Sequence, residues 1–322
     1  MNFVSPRTLL GSSALILVAL VACASDGDDG DVRGGEGSGG RDGGAASEAG
    51  APPDTNAKGP QPSDGGPTCG SASVKGGFVG SRALTVGGMK RTYELYVPGA
   101  YDGRTTYPLV FVFHGDGGDG AGIRSAFDLE QESGGDAIFV YPDGLDNTWV
   151  IDVAVGLKAD VAFVDAVAAD LSKSLCTDEA RIFAVGFSKG AYFTNMLACL
   201  SKSRIRAVVT HSGGGPFPLE GSGTSTDEKG NLKCPAPSVA ALQVQGSSDD
   251  AVPLGEGKKA RDYWRRTNGC KTTSVAIDPS PCTAYDGCTQ GRPEVWCQIP
   301  GMGHTVWPEY GTKVTWAFLK TK

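Results

Sequence analysis

Residues 181–192 read RIFAVGFSKGAY. A short apolar run, Ile182 to Val185, leads into Gly186-Phe187-Ser188-Lys189-Gly190, and a helical pattern follows. Strand, sharp turn and helix in that order lift one hydroxyl, Ser188, above the end of a sheet, where a base can reach it. The glycines alone carry little weight, because Gly makes up 48 of 322 residues and a chance match is not rare. The flanking elements and the partners downstream give the stretch its meaning.

Working outward, residues 108–114, PLVFVFH, and 137–141 are continuous apolar runs, the mark of strands buried on both faces. Residues 206–211, 239–245 and 295–299 are further runs of this kind. Residues 158–175 place Val161, Val164, Val167, Ala168 and Leu171 at helical spacing, and residues 189–200, 256–267 and 309–320 predict the other helices. Alternation around Gly87-Gly88 over residues 81–97 predicts an antiparallel hairpin at the entry. Strands alternating with helices over residues 69–322 predict one α/β domain, a mostly parallel central sheet flanked by helices.

A serine hydroxyl attacks only when an imidazole takes its proton, and that imidazole needs a carboxylate to hold its tautomer. The chain has three histidines, His114, His211 and His304. In this fold class the order is nucleophile, acid, histidine, so the base must follow both other members, and His304 alone does. The acid is expected after the strand 239–245, where Asp249 and Asp250 stand side by side; adjacent side chains diverge, so one of them faces His304. The oxyanion of a tetrahedral intermediate needs preorganised donors. The backbone N–H of Lys189 is one, and His114-Gly115-Asp116-Gly117-Gly118 supplies the other, from Asp116 ahead of Gly117. His114 is expected to brace this loop and His211 to sit hydrogen-bonded in the core.

Residues 1–23 carry one basic residue, Arg7, then an apolar stretch too short to span a bilayer comfortably, then Cys23. Leu20-Val21-Ala22-Cys23 resembles the lipobox of bacterial lipoproteins, which implies a signal peptide and lipidation of Cys23. Residues 24–68 are Gly, Asp, Ala, Ser and Pro with little to bury, the composition of a disordered tether. That segment holds nine acidic and three basic residues, so 3 − 9 = −6 of the chain's net −7 falls there. The remainder is nearly neutral and has no basic stripe, which excludes nucleic acid as a partner. Eight cysteines follow Cys23, an even number behind a secretory signal, and predict up to four disulfides of open pairing in an oxidising compartment. Their spacing lacks the repeat of structural zinc, so no metal is expected.

His-Gly-x-Gly-Gly, Gly-x-Ser-x-Gly, Gly-Ser-Ser-Asp-Asp-x-Val-Pro and Gly-x-Gly-His, in this order, resemble the secreted polyhydroxybutyrate depolymerase-like esterases. That group includes the feruloyl and acetylxylan esterases of carbohydrate esterase family 1. The likeness runs over residues 80–322 and includes Asp160-Val161-Ala162-Phe163 ahead of the nucleophile strand. It implies an α/β-hydrolase fold and a cofactor-free serine esterase with Ser188 as nucleophile, Asp249 as acid and His304 as base. Two departures stand out: Ala191 replaces a second glycine after the elbow, and His304 is followed by Thr305-Val306-Trp307-Pro308, one residue longer than the usual spacing. Trp149 and Trp307 are the substrate-binding candidates, ahead of Tyr192 and Phe193. The expected substrates are feruloyl or acetyl esters of plant cell-wall fragments, with a polyhydroxyalkanoate depolymerase as the alternative and a non-catalytic surface binding protein behind both. The protein is expected to be a monomer, secreted or held at a bacterial cell envelope, reaching the membrane through the lipid anchor alone.

Overall fold

Residues 177–187 form the strand at the middle of a ten-stranded sheet, and Phe183, Ala184 and Val185 are fully or almost fully buried there. The computed structural model describes residues 69–71 and 74–322. The signal peptide expected at residues 1–23, with Cys23, and the tether expected at residues 24–68 lie outside the described residues.

In chain order the elements are β1 (Gly77–Val86), β2 (Met89–Val97), β3 (Tyr107–Phe113), α1 (Gly120–Phe127), α2 (Leu129–Ser133), β4 (Ile138–Pro142), α3 (Ala154–Ser174), β5 (Thr177–Phe187), α4 (Lys189–Leu200) and β6 (Ile205–His211). There follow β7 (Ser225–Thr226), β8 (Leu232–Lys233), β9 (Ala240–Gly246), α5 (Leu254–Thr267), β10 (Ser274–Ala276), β11 (Cys282–Tyr285), β12 (Glu294–Ile299) and α6 (Gly311–Leu319). The large sheet runs β1-β2-β4-β3-β5-β6-β9-β12-β11-β10, and β7 pairs with β8 apart from it. From β4 to β12 neighbouring strands are parallel, and both edges are antiparallel.

Side chains alternate across a strand, so β3 feeds two cores. Leu109, Phe111 and Phe113 join Phe163 of α3, Phe193 of α4 and Trp264 of α5 on one face. Val110 and Val112 join Phe127 of α1, Leu129 of α2 and Trp316 of α6 on the other. Each such large side chain stabilises the fold by roughly 1.5–3 kcal/mol.

The far antiparallel edge escapes a periodicity reading. β10 is three exposed residues and β11 four, too short to show alternation. Their position is fixed covalently, because Cys282 and Cys297 are register partners of β11 and β12 and form a disulfide. Cys270–Cys288 closes the loop beside them, Cys199–Cys234 ties the end of α4, and Cys69–Cys176 ties the start of the described chain to the start of β5. All eight cysteines of the described residues are therefore paired, which places the domain in an oxidising, extracytoplasmic setting. Among the described residues no helix is long and apolar enough to cross a membrane.

Candidate active site

Ser188 sits between β5 and α4 with φ 55° and ψ −125°, a backbone conformation that costs a non-glycine residue on the order of 1–3 kcal/mol. Its surroundings impose it. The Ser188 N–H donates to His211 O at 3.0 Å, and the Ser188 carbonyl accepts from Ala191 and Tyr192 at 2.9 and 3.2 Å, starting the helix. The two motif glycines allow the crossing: a Cβ on Gly186 would stand 2.3 Å from Gly190 O, and one on Gly190 would stand 2.3 Å from His114 O. The methyl of Ala191, the departure seen in the sequence, is met by Gly213, where a Cβ would lie 2.3 Å from it. The space a second elbow glycine would leave is thus supplied from the opposite side.

His304 follows β12 in a loop tied to the loops after β9 and β6. Ser248 N–H donates to Met302 O at 3.0 Å, Gly301 N–H to Ser247 Oγ at 2.9 Å, and Ser212 Oγ to Thr305 O at 3.2 Å. So held, His304 Nε2 lies 2.9 Å from Ser188 Oγ, and His304 Nδ1 lies 3.0 Å from both Asp249 carboxylate oxygens. A carboxylate only accepts, so Nδ1 carries the proton and Nε2 is left to accept from the Ser188 hydroxyl. Asp249 is buried, while Asp250 is exposed and turned to solvent. Burial by itself would raise the Asp249 carboxyl. The Val252 N–H, His304 and the Ser212 hydroxyl outweigh burial and hold it below the ordinary carboxylate value. Gln245 Nε2 also donates to it at 3.0 Å. Gln245 was missed in the sequence, where the signal was a pair of glutamines, Gln243 and Gln245, at alternate positions of the otherwise apolar run 239–245.

On the other side of Ser188 lies residues 114–118. Gly115 packs so close that a Cβ would stand 3.1 Å from the Ser188 Cβ. The Gly117 N–H is spent on Asn147 O at 2.8 Å and the Gly118 N–H on Gly115 O at 3.1 Å. The N–H groups of Asp116 and Lys189 make no hydrogen bond among the described residues. The side chains of the same two residues meet above them, with Lys189 Nζ 3.1 Å from Asp116 Oδ1. The Thr148 hydroxyl donates to the same carboxylate, and it and Lys189 hold Asp116 below the ordinary value.

His114 is buried. Its Nε2 accepts from Gly144 N–H at 2.9 Å and its Nδ1 lies 2.7 Å from Gly115 O, so the neutral ring with the proton on Nδ1 spans two loops. Burial pushes its pKa down. His211 is fully buried with Nε2 3.1 Å from Thr315 Oγ1, and burial lowers it to about 3.

The structure corrects both tryptophan candidates. Trp149 is wholly buried, stacked on Phe193 at 4.7 Å with its indole N–H donated to His114 O at 3.0 Å, so no face is open to substrate. Trp307 is 5% exposed and packs in the core beneath α6 against Tyr310. Phe193 belongs to the Trp149 stack. Tyr192 is half-buried with its hydroxyl 3.4 Å from Glu256, and the Phe187 ring lies 4.9 Å from the His304 ring. Among the described residues no cluster of three or more His, Cys, Asp or Glu side chains could hold a metal ion.

The fold, the elbow and this hydrogen-bonded chain are those of an α/β-hydrolase, and within that class of a carboxylic ester hydrolase. The family model described as Phospholipase/Carboxylesterase matches residues 155–284. Feruloyl esterase C of Emericella nidulans is 32% identical over 252 residues, covering 71% of this chain and 83% of that protein. Feruloyl esterase D of Neurospora crassa is 29% identical over 228 residues, covering 66% and 73%. The chain belongs to this feruloyl esterase family of α/β-hydrolases. Among solved structures, an acetyl xylan esterase from Aspergillus awamori superposes with a TM-score of 0.56 at 16% identity, covering 74% of this chain and 99% of that one. A ferulic acid esterase from Anaeromyces mucronatus gives 0.52 at 16% identity, covering 82% and 98%; both likenesses concern the fold.

Proposed function

We propose that this protein hydrolyses feruloyl esters of plant cell-wall material through an acyl-enzyme, with Ser188 as nucleophile, His304 as general base and acid, and Asp249 as the orienting carboxylate. The observation that carries the reading is the chain from Ser188 Oγ to His304 Nε2 at 2.9 Å and from His304 Nδ1 to Asp249 at 3.0 Å, at a strained elbow. The similarity to feruloyl esterase C supports the choice of acyl group.

In the first half-reaction Ser188 Oγ bonds to the ester carbonyl carbon as its proton passes to His304 Nε2. The carbonyl oxygen becomes an oxyanion, received by the unspent N–H groups of Lys189 and Asp116. Collapse breaks the bond to the alcohol oxygen, which leaves with the proton from His304. Water then repeats the sequence on the acyl-enzyme and releases the carboxylic acid. Asp249 stays ionised throughout and stabilises the imidazolium. With Trp149 and Trp307 buried, Phe187 beside His304 and Tyr192 one helical turn after Ser188 supply the aromatic surface for a flat acyl group.

The test is a panel of methyl ferulate, acetylated xylan and polyhydroxybutyrate offered to the purified protein and to Ser188→Ala. Methyl ferulate should be turned over fastest, and the variant should lose at least about a thousandfold in kcat. Undiminished turnover in Ser188→Ala would end the serine reading. Turnover confined to polyhydroxybutyrate would end the feruloyl reading.

A further inference from the structure

A glycine-rich loop does not hold an amide in one direction by itself. Gly115, Gly117 and Gly118 surround Asp116, Gly117 has φ +73°, and glycine loses more conformational freedom on ordering than any other residue. The aim of the Asp116 N–H must therefore be imposed from outside. Four hydrogen bonds impose it, all shared with the loop of residues 143–150: Gly144 N–H to His114 Nε2 at 2.9 Å, Trp149 Nε1–H to His114 O at 3.0 Å, Gly117 N–H to Asn147 O at 2.8 Å, and the Thr148 hydroxyl to the Asp116 carboxylate.

That second loop is pinned at both ends by one buried ion pair. Arg91 and Asp160 are each 3% exposed and meet at 2.8 Å across 69 residues of sequence. The other guanidinium nitrogen of Arg91 donates to Asp143 O at 3.2 Å, next to Gly144. The other carboxylate oxygen of Asp160 accepts the Val150 N–H at 2.9 Å, next to Trp149. The Asp143 carboxylate in turn takes the Thr92 hydroxyl at 2.7 Å and the Gly120 N–H at 2.8 Å, where the chain leaves the glycine loop. The Arg91 guanidinium rests on the Phe163 ring at 4.3 Å.

From this we infer that Arg91, Asp160 and Trp149 are positioning residues for the oxyanion donors, acting through residues 143–150 on the Asp116 amide. This gives a task to Asp160-Val161-Ala162-Phe163, a stretch to which the esterase chemistry itself assigns nothing. None of the three touches the reacting atoms. A misplaced donor is felt where negative charge develops and little in the ground state, so their signature is in kcat and not in KM. The inference rests on the serine esterase reading.

The experiment compares the unaltered protein with Trp149→Phe, which keeps the aromatic stack and loses one hydrogen bond, and with Asp160→Asn. Rates are expressed per Ser188 labelled by a fluorophosphonate, so that unfolded molecules do not count. Both variants should lose about tenfold or more in kcat on methyl ferulate, with KM within about twofold, and bind a phenylboronic acid, whose serine adduct places an anion in the same hole, more weakly by a similar factor. A merely structural role predicts lower melting temperatures with kcat per labelled serine and boronic acid affinity unchanged, and that result overturns the inference. Where Asp160→Asn yields no folded protein, Trp149→Phe decides alone. Failure of the unaltered protein to take the fluorophosphonate removes the serine esterase reading and this inference with it, whereas labelling with unchanged kcat in both variants removes the inference alone.

Discussion

Ser188 is served from two sides that are built in different ways. On one side His304 and Asp249 act through their own side chains, at 2.9 and 3.0 Å, and the loops carrying them are laced to each other by short-range bonds. On the other, Asp116 and Lys189 offer backbone N–H groups, that of Lys189 aimed by the elbow and that of Asp116 by a loop, a buried indole and an ion pair far away in sequence. Where chemistry needs a side chain, the residue type is constrained. Where it needs an amide, almost any residue can supply it, and the constraint moves to whatever holds the backbone.

The largest effect that could break this contrast is on the side-chain side. Asp249→Asn leaves an acceptor but permits the wrong imidazole tautomer, and kcat should fall by about ten-thousandfold. Asp250→Asn, at an exposed position, should leave kcat unchanged. Steady-state kinetics on methyl ferulate check both; equal losses would mean that the two carboxylates share the role.

A smaller effect concerns His211, whose carbonyl holds the elbow both sides use. Buried, it stays neutral when folded down to about pH 3, whereas in the unfolded chain it takes a proton below its ordinary 6.5. Between those values the unfolded state binds one proton more, so stability falls as pH falls, by about 1.4 kcal/mol per pH unit. His114, lowered for the same reason, adds in the same direction. Urea unfolding at pH 6.5 and pH 5 should show about 2 kcal/mol less loss in His211→Gln than in the unaltered protein. Parallel losses would show that His211 titrates normally.

The smallest effect lies at the mouth. The Lys189–Asp116 ion pair is largely exposed, with side chains 32% and 65% accessible, so Lys189→Met should lower kcat by no more than about fivefold. The difference between the two proteins should shrink in high salt. A loss as large as that of Trp149→Phe would mean that the amide side is clamped from above as well as from below.

Much of the first side was legible in the sequence, because the elbow motif singles out Ser188, the order of the triad leaves only His304 among three histidines, and Asp249 stood beside one rival, Asp250. The parallel core was legible as well, since strands such as β3 and β4 are unbroken apolar runs. The aromatic candidates failed for a physical reason: a tryptophan's size makes it valuable both as a platform and as filling, and only packing distinguishes the two. Trp149 turned out to be filling with its N–H put to use. Arg91 and Asp160 were invisible as partners because nothing in a sequence announces an ion pair spanning 69 residues. The last edge strands were unreadable because a disulfide, and no periodic pattern, sets their register.

The bond between Cys69 and Cys176 fixes where the preceding polypeptide joins the domain. Cys176 stands at the start of β5 and Ser188 just past its end, so eleven residues of extended chain, about 35 Å, separate the two. The disulfide and the hydroxyl therefore lie at opposite ends of β5. A bead or fibre coupled at residue 69 would sit at the far end of β5 from the hydroxyl, leaving the elbow free for a substrate too large to diffuse.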